Sequence, residues 1–319
     1  MDVLTATLNP ALDREIVVEN FTINDFHRVK NPSYSKMDPG GKGINVSVIL
    51  SGIGVRNVAM GFLGGYIGKV VEEKLRTMSD LITTNFLYVE EETRENIAIV
   101  DPIMDTITEI NSSGPLIKPD DLRMFLRRFD VALSRVRHVV VSGSVPRGIE
   151  NDIYSVICRK TIEAGKFSFV EAIGPTFENA VDAGLVTVSR PDLRSRKILF
   201  GQTLVELRDY VDVAKYMISR GSRLSVLSYA IEGDVIATRD GVWLFRAKSH
   251  IEKSHLLGTG DAFMAGMVHS IINDERDFFQ AARKGMAAAI AEAGFISKEL
   301  ITPKDIEDNL ESFEIRRLE

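Results

Sequence analysis

The sequence predicts an α/β protein: a mostly parallel central sheet flanked by helices, with a small β-sheet attached to it. Three observations carry this reading. From Pro119 onward, apolar β-like runs alternate with helical patterns. Glycine-bearing loops follow several of the strands. The stretches around 14–38 and 88–112 hold short β-like runs with no helix among them. Residues 1–319 are read as one domain, with those two stretches forming an inserted small sheet and with right-handed crossovers in the main one.

Val3–Leu8 is the opening strand, stopped by Asn9-Pro10, and Ile16–Val18 is a second β-rich run. Asp13 lies just past the first strand, where open α/β sheets bind ligands, although a solvated turn aspartate would look the same. Residues 20–40 are polar and aperiodic and carry His27, Arg28, Lys30 and Lys36. Val58–Phe62 reads as a strand and Gly68–Met78 as a helix. Thr83–Val89, Asn96–Val100 and Thr106–Ile110 form a meander that joins residues 14–38 in the small sheet. Arg94, at the start of one of these strands, suits a phosphate, or equally a surface ion pair.

After Pro119 a helix over Asp121–Leu133 leads into His138–Val141, an apolar run typical of a buried parallel strand. A helix at Asp152–Ala164 and a strand at Phe167–Val170 continue the alternation. Strands follow at Val186–Val188 and Leu224–Ser228, with a helix over Val211–Ser219 between them. Asp234–Thr238 and Val242–Phe245 pair as a hairpin through Arg239-Asp240-Gly241. Helices are expected over 262–273, 276–293 and 304–311, with Trp243 as a packing residue. The small residues Ala281, Gly285, Ala288 and Ala289 imply close approach to a neighbouring element.

Composition narrows the function. Hydrophobic residues make up 45% and charged residues 26%, as in a soluble globular protein. A net charge of −6 argues against a broad nucleic-acid footprint. The single cysteine, Cys158, excludes an intrachain disulfide and a cysteine metal cluster. Five histidines are scattered without metal-ligand spacing, so no metal site is expected from side chains alone. With no leader-like opening and no long apolar span, the expectation is a cytoplasmic protein without a membrane partner.

Three glycine loops hold the chemistry. Pro39-Gly40-Gly41-Lys42-Gly43-Ile44-Asn45 enters a helix and offers a cation and a two-sided polar group, but lacks P-loop spacing. Ser142-Gly143-Ser144-Val145-Pro146-Arg147-Gly148 follows the buried strand. Leu257-Gly258-Thr259-Gly260-Asp261 opens a helix whose N–H groups make an anion site beside a carboxylate. Taken alone, that last string equally describes an ordinary turn closed by an N-cap aspartate.

In this order, Gly40–Asn45, Ser142–Pro146 and Gly258–Asp261 resemble the PfkB carbohydrate kinase family, which includes ribokinase, over essentially the whole chain. Thr7–Asp13, Thr93–Asn96, Thr108–Asn111 and Gly114-Pro115 look like its phosphosugar branch, which holds 1-phosphofructokinases and tagatose-6-phosphate kinases. The resemblance implies a ribokinase-like three-layer fold with a β-sheet lid, often a homodimer through that lid. It implies ATP, with Mg²⁺, phosphorylating a sugar phosphate, foremost in the manner of a 1-phosphofructokinase, with tagatose 6-phosphate or non-catalytic sugar-phosphate sensing as alternatives. By likeness, Asp261 matches the catalytic base, and Gly258, Thr259 and Gly260 the anion loop. Asp13, Gly40, Gly41, Lys42, Asn45, Asn96 and Ser142 fall on the sugar side, with Arg94 and Arg28 for the substrate phosphate. Asp192, Ser228, Ala230, Gly233 and Gly285 fall on the nucleotide side. The chain departs from the family pattern at His255-Leu256, at Thr259, at Ser228-Tyr229-Ala230, and at Arg190–Ser195, where Asp192 replaces Asn and Ser195 replaces Glu. These changes point to an altered nucleotide or metal preference.

Overall fold

The computed structural model describes residues 2–29, 31–194, 197–231, 233–296 and 299–319. Lys30 and Ser195, both named above, lie outside the described residues. In chain order the strands are β1 (Val3–Thr7), β2 (Ala11–Val17), β3 (Ser35–Gly40), β4 (Asn57–Gly64), β5 (Ile82–Val89), β6 (Arg94–Asp101), β7 (Thr106–Asn111) and β8 (His138–Ser142). They continue with β9 (Phe167–Glu171), β10 (Val188–Ser189), β11 (Ile198–Leu199), β12 (Gln202–Thr203), β13 (Leu224–Ala230), β14 (Gly233–Thr238), β15 (Gly241–Ala247) and β16 (Phe313–Arg317). The helices are α1 (Lys42–Gly52), α2 (Gly65–Met78), α3 (Pro119–Leu133), α4 (Ile153–Glu163), α5 (Pro175–Asp182), α6 (Leu207–Ser219), α7 (Thr259–Asn273), α8 (Phe278–Glu292) and α9 (Pro303–Asp308).

The main sheet has ten strands in the order β16-β15-β14-β13-β10-β9-β8-β1-β4-β5. From β13 to β5 every neighbouring pair is parallel, and β14, β15 and β16 add an antiparallel edge. Alternate residues of each strand enter opposite cores, as the period of two requires. Leu4, Val139, Val141, Val170 and Leu227 pack with α3, α4, α5 and α6 on one face. Val3, Val140, Phe169 and Val226 pack with α1, α7 and α8 on the other. That two-sided burial explains why His138–Val141 reads as continuously apolar.

A separate four-stranded sheet has the order β3-β2-β6-β7. Its β2 and β6 run parallel, with Asp13 opposite Asn96, and its outer pairs are antiparallel. The expected meander is corrected here: Thr83–Val89 belongs to β5, the parallel edge of the main sheet, and only β6 and β7 join the small one. Further elements stand outside these expectations, among them the two-stranded antiparallel sheet of β11 and β12. The short helix α5 opens on Gly174-Pro175, and β16 turns the charged tail into an edge strand that buries Phe313.

The small sheet leans on the loop before α7. Leu257 packs with Val17 and Val100. Asp105, in the β6–β7 turn, accepts hydrogen bonds from the Ser254 amide at 2.9 Å and its hydroxyl at 3.0 Å. Those amide and hydroxyl bonds, opposed by burial, hold the Asp105 carboxyl below its ordinary value. Among the described residues, no helix is long and apolar enough to cross a membrane.

Candidate active site

The carboxyl ends of β1, β8, β9 and β10 open into a cleft of 560 Å³, where ligands of open α/β sheets bind. Asn9, Gly143, Ser144, Ala172 and Asp192 come from those strand ends, Asp13, Arg94 and Asn96 from the small sheet. A second cleft, of 290 Å³, lies beside β13 and α8 and contains Ser228, Ala230, Asp234 and Ala289. Both clefts are bordered by Lys42, Asp192, Arg194, Gly258 and Asp261.

Asp261 sits in the first turn of α7 and is 5% exposed. Its Oδ2 accepts from Asn45 Nδ2 at 2.7 Å. Gly258 caps the helix in the left-handed region (φ 81°), a conformation a glycine adopts without strain, and no side chain caps the N-terminus. The first-turn N–H groups therefore keep their polarity for a ligand. Asn45 reaches Asp261 because α1 begins at Lys42, immediately after β3 and Gly41.

Lys42 Nζ contacts Glu171 Oε1 at 3.0 Å, Asp192 Oδ2 at 3.1 Å and Asp261 Oδ1 at 3.8 Å. Burial alone would lower the Lys42 ammonium, but Glu171, followed by Asp192 and Asp261, holds it above its ordinary value. Glu171, fully buried at the end of β9, also accepts from Arg190 Nη1 at 2.6 Å. Arg190 lies over the Phe263 ring at 5.3 Å and reaches Ser228 Oγ at 3.4 Å. Ser228 in turn donates to Asp234 at 2.8 Å, whose carboxyl is pushed up by burial and drawn back by Arg190. Loss of one member of a buried pair costs about 3–5 kcal/mol, so these charges hold the cleft wall in one arrangement.

In the first cleft, Asn96 Nδ2 donates to Asp13 Oδ1 at 2.9 Å across the β2–β6 register. Gly40 leaves room for that carboxylate: a Cβ there would lie 2.1 Å from the Asp13 carboxyl carbon and push it aside. Arg94 donates to the carbonyls of Asn9 and Ser112, each at 3.2 Å. Among the described residues, no carboxylate lies within ion-pair distance of Arg94. Burial draws its guanidinium below the ordinary value, with Asp13 acting the other way.

Several expected positions stand elsewhere. Arg28 is exposed, stacks on Phe26 and does not border the cleft. Ser142 is buried as the last residue of β8, one residue beyond the apolar run, and Ser144 takes the place at the cleft. Gly285 is a packing residue: a Cβ there would lie 2.5 Å from the Phe263 ring. Gly233 starts β14 beside the Phe245 carbonyl, outside the lining of the second cleft. The sequence reading omits Glu171 and Asp234. Glu171 ends the apolar strand β9, the same signal that singles out Asp13, whereas Asp234 is the second residue of β14 and carries no such signal.

Residues 7–297 match the pfkB family carbohydrate kinase profile. The chain belongs to the pfkB family of carbohydrate kinases. A 1-phosphofructokinase of Bacillus subtilis (strain 168) is 28% identical to this kinase over 319 residues, covering 99% of this chain and 100% of that one. A crystal structure from Thermotoga maritima, described as a possible 1-phosphofructokinase, superposes with a TM-score of 0.97 at 44% identity and full coverage of both chains. Phosphofructokinase-2 of Escherichia coli, solved with potassium, has a TM-score of 0.85 at 19% identity, covering 97% and 98%, and shares the fold. The mostly parallel three-layer sheet with its smaller companion is thus the ribokinase-like fold of this family.

The kinase's ion network has a pH consequence. Burial would raise the Asp192 carboxyl, but Lys42 and Arg194 hold it well below the carboxylate range. A folded value below the unfolded one means the unfolded chain binds more protons in between, so acid destabilises the fold. The stability from Asp192 is complete above the unfolded value of about 4 and lost as pH falls through the folded one. Denaturant midpoints measured downward from pH 5 should therefore fall less steeply in Asp192→Asn than in the parent chain. Equal slopes would show that Asp192 does not carry this linkage.

Proposed function

We propose that this kinase transfers the γ-phosphoryl group of ATP to the C6 hydroxyl of D-fructose 1-phosphate, giving D-fructose 1,6-bisphosphate and ADP. The observation that carries the reading is a single cleft bordered by both Asp261 and Arg94, a guanidinium that feels the Asp13 charge but forms no ion pair among the described residues. A phosphate fits Arg94, and a hydroxyl can then meet Asp261, where the second cleft joins the first. The 1-phosphofructokinase of B. subtilis and the structure from T. maritima favour the same substrate.

In the proposed reaction the C6 oxygen bonds to the γ-phosphorus, the bond to the bridging β-oxygen breaks, and the hydroxyl proton passes to Asp261. Asn45 and Lys42 orient that carboxylate. The first-turn N–H groups of α7, at Gly258–Asp261, act as fixed donors to charge spreading over the transferred group. Asp13 and Asn96 hold sugar hydroxyls. Ser228, Ala230 and Asp234 border the nucleotide. Leu257 and Asp105 tie the small sheet to the α7 loop, which suits a lid that excludes water as a competing acceptor.

Mg²⁺ belongs to this reading as part of the nucleotide substrate, neutralising phosphate charge. Among the described residues, no group of three or more metal-ligating side chains exists. Asp192 is committed to Lys42 and Arg194, whereas Glu171 keeps a buried Oε2 with no hydrogen-bond partner among the described residues. A metal held mainly by phosphate oxygens fits that donor set. Exposed Met37, Ile103, Met104 and Ile110 on the small sheet support pairing of two copies through it, and a cytoplasmic location completes the proposal.

The test is a substrate panel with ATP: fructose 1-phosphate, fructose 6-phosphate, tagatose 6-phosphate and ribose. Fructose 1-phosphate should give the highest kcat/KM and ribose the lowest. A preference for tagatose 6-phosphate would replace the substrate. Binding of sugar phosphates without turnover on any of them would indicate a sensor.

A further inference from the structure

Arg194 borders both clefts, and the reaction described above gives it no task. Lys42, the other cation shared by the two clefts, is 15% exposed and already faces three carboxylates. Arg194 is different, with 58% of its side chain exposed. Asp192 fixes one edge of its guanidinium, through Nε to Oδ1 at 3.1 Å and Nη2 to Oδ2 at 3.1 Å. This fork leaves Nη1 at the remaining corner, and its acceptor is Glu109 Oε2 on β7 of the small sheet, at 3.4 Å.

That contact is long, and Glu109 is itself 39% exposed. Exposed pairs of this kind contribute little to stability. A phosphoryl oxygen in a cleft closed to water is a much stronger partner for the same N–H group. Asp192 gains a purpose as well. It stands where the resemblance leads one to expect Asn, and only a carboxylate offers the guanidinium two charged acceptors.

We propose that Arg194 is a catalytic residue of this kinase, whose Nη1 exchanges Glu109 for a non-bridging oxygen of the phosphoryl group in flight while Asp192 fixes the fork. The proposal rests on the phosphoryl-transfer reading. Such a transfer spreads charge over three equatorial oxygens, and a cation supplied there acts on the rate more than on sugar binding.

Arg194→Gln and Arg194→Lys in the full chain test it. With fructose 1-phosphate, Arg194→Gln should lower kcat about 10²–10³-fold and leave KM for the sugar phosphate within about twofold, with Arg194→Lys recovering part of the loss. Calorimetric titration provides the arm that needs no turnover. Affinity for ADP should be unchanged in Arg194→Gln, whereas affinity for β,γ-imido-ATP should fall about tenfold or more, because only the latter carries the third phosphate. An equal loss for both nucleotides, or no loss for either, overturns the assignment, as does an unchanged kcat. Should the parent chain ignore fructose 1-phosphate, the substrate reading fails while the nucleotide comparison still decides on Arg194.

Discussion

Replacing Asp261 with Asn is expected to lower kcat by about 10²–10⁴-fold, the range a positioned general base supplies, while KM for either substrate stays within a few-fold. The amide fills the same volume and can still accept from Asn45 Nδ2, now 2.7 Å from Oδ2, so the first turn of α7 keeps its geometry. What disappears is the acceptor for the hydroxyl proton, and with it one of the charges facing Lys42. Steady-state kinetics on Asp261→Asn, shown to be folded by a cooperative thermal transition well above the assay temperature, reads this out. Near-parental kcat would remove Asp261 as base.

Arg94→Ala should act on the other half of the site. Two charge-assisted hydrogen bonds to a phosphate, partly offset by water in the variant, amount to about 2–4 kcal/mol, or about 30- to several-hundred-fold in KM for the phosphosugar. KM for ATP should change little, because Arg94 borders the first cleft and not the second, where the proposal places the nucleotide. Arg94→Lys should recover only part, since a point charge replaces a planar fork already aimed by the Asn9 and Ser112 carbonyls. Equal effects on both substrates would show that Arg94 positions the small sheet instead of gripping phosphate.

What the sequence made legible follows from local physics. Apolar runs bounded by glycine loops located β1, β4, β8, β9 and β13, because each is buried on both faces and the signal is continuous. The loops at Gly40–Asn45 and Gly258–Asp261 announced two helix starts, and the structure joins them through the Asn45–Asp261 hydrogen bond. Partnership across the chain was not legible. Glu171 looks like any strand-end carboxylate until the fold brings Lys42, 129 residues away, against it. Nothing in the local sequence singles out Arg194 until the strand ends set it between two clefts. Thr83–Val89 has the composition of a meander strand, and only its parallel register with β4 puts it in the main sheet. Gly285 was correctly seen as a close-approach residue, and Phe263 of α7 is the neighbour it admits.

The central claim is that one cleft brings a sugar-bound phosphate to Arg94 and a free hydroxyl to Asp261. ³¹P NMR of the parent chain with ATP and fructose 1-phosphate tests it most directly. The account predicts loss of the γ-phosphate signal with a second phosphomonoester resonance appearing on C6 of the same sugar. Release of inorganic phosphate alone, or ATP left intact beside a bound sugar phosphate, would contradict it.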